Sequence, residues 1–270
     1  MFISELNIYP VKSCRGSALL SAKVDALGLV GDRRAMLVDE NAQFISLRSH
    51  PKMAGIKPFF EGDRLFLDLD GDILETHDSG NRVDAKVWKD TVNVSLSTDT
   101  VSAKLSRFMG ETVRLVFMDA ETTRRVEPKW ANARLSLADG APISITNTAS
   151  LAELAATSNS KIDMAQFRPN ITIKSDEPWA EDHWKTIRIG DITFDMIKPI
   201  NRCKIVTLDP NTGQQLQDRT MEALIKSRRS GDKRVKGVLF AWAAVARGCG
   251  KLNVGDDVQV VETREPWAIM

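Results

Sequence analysis

Arg202-Cys203-Lys204, with Lys198 just upstream, places one thiol among cations. Nearby positive charge stabilises a thiolate, and the thiolate is both the nucleophile and the metal ligand. Thiolate sulfur is soft and suits a thiophilic, redox-active metal centre. The same residue also reads as a small buried cysteine at the start of a strand. A second cluster is Phe167-Arg168-Pro169-Asn170. Arg168 carries a planar fork that grips phosphate at two points. Asn170 offers a donor and an acceptor to the edge of a heterocycle. Pro169 is expected to hold the two in an extended geometry. The plainer reading is a helix exit with Arg168 facing solvent. In Tyr9-Pro10-Val11-Lys12-Ser13-Cys14-Arg15-Gly16, an ammonium and a hydroxyl follow a strand and suit an anionic group. The alternative is a hairpin turn with Lys12 and Arg15 exposed. Asp32-Arg33-Arg34 and Ser46-Leu47-Arg48 are weaker cases, because paired charges usually form a solvated face.

Other chemistries lack their residues. His50, His77 and His183 have no metal-ligand spacing, and HExxH does not occur. Neither do GxGxxG, GxxxxGK[ST] or GxSxG, so the common nucleotide-binding and hydrolase signatures fail. Lys and Arg number 37 and Asp and Glu 36, a balance that argues against nucleic acid as the main partner. No apolar run approaches the ~18 residues of a membrane span, and the start shows no secretory pattern. Cys14, Cys203 and Cys249 are odd in number and widely spaced, which points to a reducing cytoplasm and not to a disulfide framework. Three cysteines are also too few for an iron–sulfur cluster, which takes about four.

The elements that must position these groups are mostly strands. Period-2 alternation broken by Asp, Gly and Asn marks short strands over Phe2–Tyr9, Ala35–Val38, Gln43–Leu47, Arg64–Leu69, Arg82–Trp88 and Val92–Leu96. Such a run fits a barrel or sandwich-like unit. A helix follows, capped by Thr100 or Ser102 and ended by Gly110, and then a strand over Thr112–Met118. Ala120–Asp139 is polar and irregular, either a connection between domains or a loop over a site. Beyond it, Ser150 and Glu153 form a capping box for a helix, and Asp163–Phe167 is a short helix. Ile143–Ile145, Ile171–Ile173, Thr186–Ile189, Thr193–Met196, Lys204–Thr207, Val235–Ala246 and Asp257–Glu262 read as strands. Thr220 caps a helix to Arg228, and Asp209-Pro210-Asn211-Thr212-Gly213 is a tight turn.

Taken in order, YPVKSCRG, GDRRAMLVD, ISLRSHPKM, FRPNI, RIGD and NRCKIVTLDPNTG resemble the MOSC family with its N-terminal β-barrel domain. That family includes amidoxime-reducing components and bacterial proteins that detoxify hydroxylated bases. The resemblance runs from about residue 1 to residue 265, and its most specific part lies between Arg202 and Gly213. It implies an α+β, mostly β fold: a β-barrel-like domain over residues 1–120 and a MOSC β-barrel with a few short helices over 121–265. It also implies a molybdenum cofactor, a pterin dithiolene whose metal takes Cys203 as its protein ligand. The positions matching the family's cofactor contacts are Lys12, Ser13, Arg33, Arg168, Asn170, Asn201 and Arg202. Where relatives turn hydroxyls toward the phosphate, this chain has Gly140 and Ala141, which offer only backbone N–H groups. Pyridoxal phosphate binding is a lesser association of the family.

The implied activity is reduction of N-hydroxylated compounds, with Cys203 catalytic as the metal's ligand. Some relatives carry a plant-type ferredoxin domain after this region. Here the sequence stops at Met270, so a separate ferredoxin-like or flavoprotein-like donor is expected. Two other roles use the same residues: a sulfur carrier with a Cys203 persulfide, and a non-catalytic carrier of the cofactor. Cys249, between two glycines, is expected to be inert, and Asp209 to serve its turn.

Overall fold

A computed structural model describes residues 1–270. The chain folds as eighteen strands and three α-helices, a mostly β architecture. The largest sheet orders its strands Val258–Thr263, Trp184–Ile189, Ile192–Arg202, Val238–Arg247, Ile143–Asn147, Ile171–Lys174, Phe2–Ile8 and Ser17–Leu19. The barrel expected here does not close as a continuous ladder. Its nearest approach is one bridge, Phe2 to Asp257, which ties the first strand to the residue before Val258–Thr263. A second sheet runs Ala35–Val38, Arg114–Phe117, Asp90–Ser97 and Asp78–Val87. Two three-stranded sheets complete the fold. One joins Gly250–Asn253, Ser21–Asp25 and Gly28–Leu29, the other Ile56–Glu61, Arg64–Leu69 and Asp72–Glu75. No helix is long and apolar enough to cross a membrane.

Alternation explains most of the packing. Ala35–Val38 is buried throughout, with Ala35 and Leu37 in one core and Met36 and Val38 in another. Val238–Arg247 likewise divides two cores, one around Leu239, Trp242 and Ala244 and one around Val238, Phe240 and Ala241. A β-bulge shifts its register against Ile192–Arg202, between the pairs Pro199–Trp242 and Asn201–Leu239. Ala241 takes φ 66° there. Bulges re-aim side chains beside functional sites, and this one lies one residue from Arg202 on the facing strand.

Several local expectations are corrected. Asp99–Met109 begins after Thr98, and neither Thr100 nor Ser102 flanks it, while Gly110 does end it at φ 84°. The capping box at Ser150 does not form. Asn147 accepts from the Ala149 N–H and starts the helix at Thr148, while the Ser150 hydroxyl donates to buried Glu181 at 2.7 Å. Lys204–Thr207 is a short 3-10 helix despite its β-branched composition, held by Val206 N–H to the Cys203 carbonyl and by the Thr207 hydroxyl to the Lys204 carbonyl. Gln43–Leu47 makes only isolated bridges. Thr220 is the first helical residue, preceded by Arg219 in the cap position. The irregular stretch before Asp139 anchors through buried Val126, Leu135 and Ala138, and Leu137 N–H donates to the Arg33 carbonyl at 3.0 Å.

Candidate functional site

The two halves of the chain meet at a cavity of about 440 Å³. Lys12, Ser13, Arg33, Arg168, Asn170, Asn201, Arg202 and Cys203, the eight positions expected from the sequence, all line it. They arrive from separate elements. Lys12 and Ser13 follow Phe2–Ile8, and Lys12 N–H donates to the Ala35 carbonyl at 2.8 Å. Arg168 and Asn170 lie between the short helix Met164–Phe167 and Ile171–Lys174, while Asn201 and Arg202 end Ile192–Arg202. Cys203 comes next and is exposed, with the chain turning away into its 3-10 helix. This is not the buried structural cysteine of the plainer reading.

Charge in this cavity is one-sided. Lys12, Arg33, Arg48, Arg168, Lys198 and Arg202 face a single carboxylate on the wall, Asp139. Lys12 is buried, and its ammonium bonds to Asp139. Burial pushes the Lys12 pKa down, and the Asp139 charge only partly offsets this. The Asp139 side chain is largely exposed to solvent, so little desolvation opposes its ionisation, and Lys12 and the Trp88 indole N–H hold its carboxyl well below the usual range. Arg33 Nη1 donates to both oxygens of buried Asp32 at 2.8 and 2.9 Å, and this pairing overcomes burial to raise its pKa. Its neighbour Arg34 instead pairs with Asp25.

Tyr9, the chain's single tyrosine, is the main residue that sequence reasoning missed. The guanidinium carbons of Arg33 and Arg168 lie 4.3 and 4.1 Å over its ring. Stacking fixes the planes of two cations without consuming their hydrogen bonds. The available signal was an aromatic residue directly before Pro10 and Lys12. Trp88, which lines the cavity itself, had no comparable signal.

Arg168 does not take the extended geometry expected before Pro169. It is left-handed, with φ 52° and ψ 47°, and it closes the short helix. Ser13, Arg33 and Trp88 also have positive φ, so four of the nine such non-glycine residues line this one cavity. Strained backbone of this kind persists where surrounding structure fixes it, and it gathers at functional sites.

The donors divide into committed and free. Asn170 is committed: its carbonyl accepts from the Ser144 N–H, the Ser144 hydroxyl and Arg33, while its amide donates to the Asn7 carbonyl. Arg202 Nε donates to the Phe240 carbonyl at 2.8 Å and its Nη1 to the Phe167 carbonyl at 3.0 Å. The first of these acceptors lies in the bulge. Nη2 of Arg202 and Nη2 of Arg168 are sealed from solvent with no partner. Burial pushes the Arg202 pKa down to about 10, so it stays charged at neutral pH. Buried guanidinium nitrogens without acceptors are costly, and two of them on one wall mark a place built for an anion.

The other cysteines differ. Cys14 is buried, and its thiol is pushed up to about 12 by desolvation. Cys249 is exposed between Val238–Arg247 and Gly250–Asn253. Asp209 serves its turn, accepting from Asn211 and Thr212 N–H. Gly213 closes that turn at φ 71°, where a Cβ would collide with the Pro51 carbonyl. A wider cleft of about 730 Å³ lies elsewhere and contains none of the eight residues. Its Arg234, Arg247 and Lys185 are paired with Asp232, Asp195 and Glu262, and its Arg264 is bonded to the Trp184, Lys185 and Met196 carbonyls.

With this fold and this cationic, cysteine-bearing cavity, the chain belongs to the MOSC family. Residues 132–259 match the MOSC domain, and residues 1–112 match the MOSC N-terminal beta barrel domain. Among its relatives is mitochondrial amidoxime reducing component 2 of Rattus norvegicus, 29% identical over 278 residues, covering 95% of this chain and 82% of that protein. Mitochondrial amidoxime-reducing component 1 of Homo sapiens is 27% identical over 279 residues, covering 96% and 82%. Molybdenum cofactor sulfurase of Bos taurus is 27% identical over 243 residues, which is 80% of this chain but 28% of that longer protein.

Proposed function

We propose that the cavity binds the molybdenum cofactor, with Cys203 as the protein ligand of the metal, and that the loaded protein reduces N-hydroxylated compounds. One observation carries the reading: an exposed thiol shares a single cavity with Arg168 and Arg202, whose buried Nη2 atoms lack acceptors. The donor set fits the group. The phosphate and dithiolene of such a cofactor are anionic, and the cavity offers an excess of cations and a soft sulfur. The names of the amidoxime-reducing relatives support the same reading.

When bound, the cofactor supplies two-electron redox chemistry coupled to oxygen transfer. The overall reaction is R–NHOH plus two electrons and two protons giving R–NH2 and water, with a separate protein as electron donor. The chain's own residues do the positioning. Arg168 and Arg202 hold the anionic end, and Tyr9 fixes Arg168 by stacking. Asp32 and Asn170 hold Arg33. Asn201, exposed and without a side-chain partner, is free to meet the pterin edge. Cys203 stands outside the regular strand, where its sulfur is not spent on packing.

The test is reduction of benzamidoxime or hydroxylaminopurine by molybdenum-loaded protein with an artificial electron donor. Turnover in the wild type, lost in Cys203→Ala, is expected. Metal-loaded protein without turnover supports the carrier alternative, and a persulfide on metal-free Cys203 supports sulfur transfer.

A further inference from the structure

Arg48 lines the cavity but is not needed for the cofactor contacts above, and no protein oxygen accepts from its guanidinium. Arg33 and Arg202, by contrast, are bonded to protein acceptors. The Arg48 guanidinium carbon lies 4.5 Å over the Trp88 ring. That ring is itself fixed: Phe44 packs against it with centroids 4.9 Å apart, and its indole N–H donates to Asp139 at 3.0 Å.

Trp88 occupies the first position of a two-residue turn between Asp78–Val87 and Asp90–Ser97, with φ 57°. Glycine takes this geometry freely, whereas a bulky side chain is strained by it. Trp88 is nevertheless 48% exposed and contributes little to a core. The indole is therefore kept under strain, and there it holds Arg48 flat as well as bonding Asp139. A flat guanidinium with free donors matches a carboxylate in a bidentate pair.

We propose that Arg48, oriented by Trp88, is a specificity-determining residue, and that the preferred substrates are N-hydroxylated compounds carrying an anionic oxygen group away from the reacting nitrogen. This rests on the reductase reading. The anionic substituent is recognised at Arg48 while the N–O group meets the centre at Cys203.

Two matched pairs of probes test it. Benzamidoxime and 4-carboxybenzamidoxime are compared as substrates of the loaded protein. Benzamidine and 4-amidinobenzoate, which cannot be reduced, are compared by equilibrium binding. The wild type is expected to show a KM for the carboxylated substrate lower by roughly tenfold or more, the yield of one charge-assisted pair. Arg48→Met should shrink that preference to within about twofold and keep the molybdenum content of the wild type. Trp88→Phe should retain most of the preference. Trp88→Gly should lose part of it while keeping the molybdenum content of the wild type, which a misfolded variant would not keep. Equal KM values in the wild type overturn the proposal, as does an Arg48→Met change that affects both substrates alike. Loss of molybdenum in Arg48→Met also overturns it, by placing Arg48 among the cofactor contacts. If the wild type reduces neither substrate, the reductase reading fails and the amidine pair still decides. Tighter binding of 4-amidinobenzoate that depends on Arg48 supports the recognition site, and equal binding refutes it.

Discussion

Replacing Arg168 by methionine separates an anion-binding role from a structural one. The Arg168 guanidinium makes no hydrogen bond to protein, its Nη2 is sealed from solvent, and its main contact is the Tyr9 ring at 4.1 Å. In the metal-free protein the substitution gives up a cation–π contact of about 0.5–1 kcal/mol and relieves an unpaired buried donor at the low end of about 1–3 kcal/mol. The net change in stability should be within about 1 kcal/mol, moving Tm by roughly 3 °C or less. In the loaded protein it removes a charge-assisted contact of about 1.5–3 kcal/mol, which weakens cofactor retention roughly tenfold to a hundredfold. Arg202→Met is the control. It strands the Phe240 and Phe167 carbonyls and should cost about 2–4 kcal/mol even without cofactor. Thermal unfolding of metal-free protein, with molybdenum and phosphate assays on protein as purified, reads both effects. If Arg168→Met keeps full cofactor, or lowers Tm as far as Arg202→Met does, the division of the cavity into committed and free guanidinium groups is wrong.

Three further outcomes are expected. Cys203→Ser should leave Tm within about 1 °C, since the exposed thiol holds no packing, and should abolish reductase turnover; retained turnover removes Cys203 from the chemistry. Asp139→Asn removes the carboxylate that competes with an anion for Lys12, so inorganic phosphate should bind several-fold more tightly by calorimetry, and weaker binding contradicts the role. Glu181 is buried beside Asp182, and desolvation first, then that neighbour, push its pKa up from 4.5 to about 7. A carboxyl with a raised folded pKa stabilises fully below its unfolded value. That contribution, on the order of 3 kcal/mol, is lost as pH rises from about 4.5 through 7. Glu181→Gln should therefore flatten the fall of Tm across that window, and an unchanged slope refutes it.

The fold was legible where patterning was strong. Arg64–Leu69 and Ala35–Val38 occur as their alternation and apolar run indicated, and Gly110 stops its helix. Local signals failed where a distant partner outbid them. Ser150 gave up its capping role to Glu181, and Lys204–Thr207 gave up strand pairing once Gln166 supplied a donor to the Val206 carbonyl. The cavity's cations were visible as motifs. That they share one wall was legible only through the family resemblance and not from pattern, because it depends on Phe2–Ile8 pairing with Ile171–Lys174 across most of the chain. The Tyr9 stack, the commitment of Asn170 and the bulge that presents the Phe240 carbonyl to Arg202 are consequences of that pairing and of register. Periodicity carries no information about them.

X-ray absorption at the molybdenum edge, compared between the wild type and a Cys203→Ser sample that still holds metal, tests the central claim most directly. The account predicts about one molybdenum per chain in the wild type and one fewer sulfur neighbour in the variant. An identical sulfur shell in both proteins would contradict it.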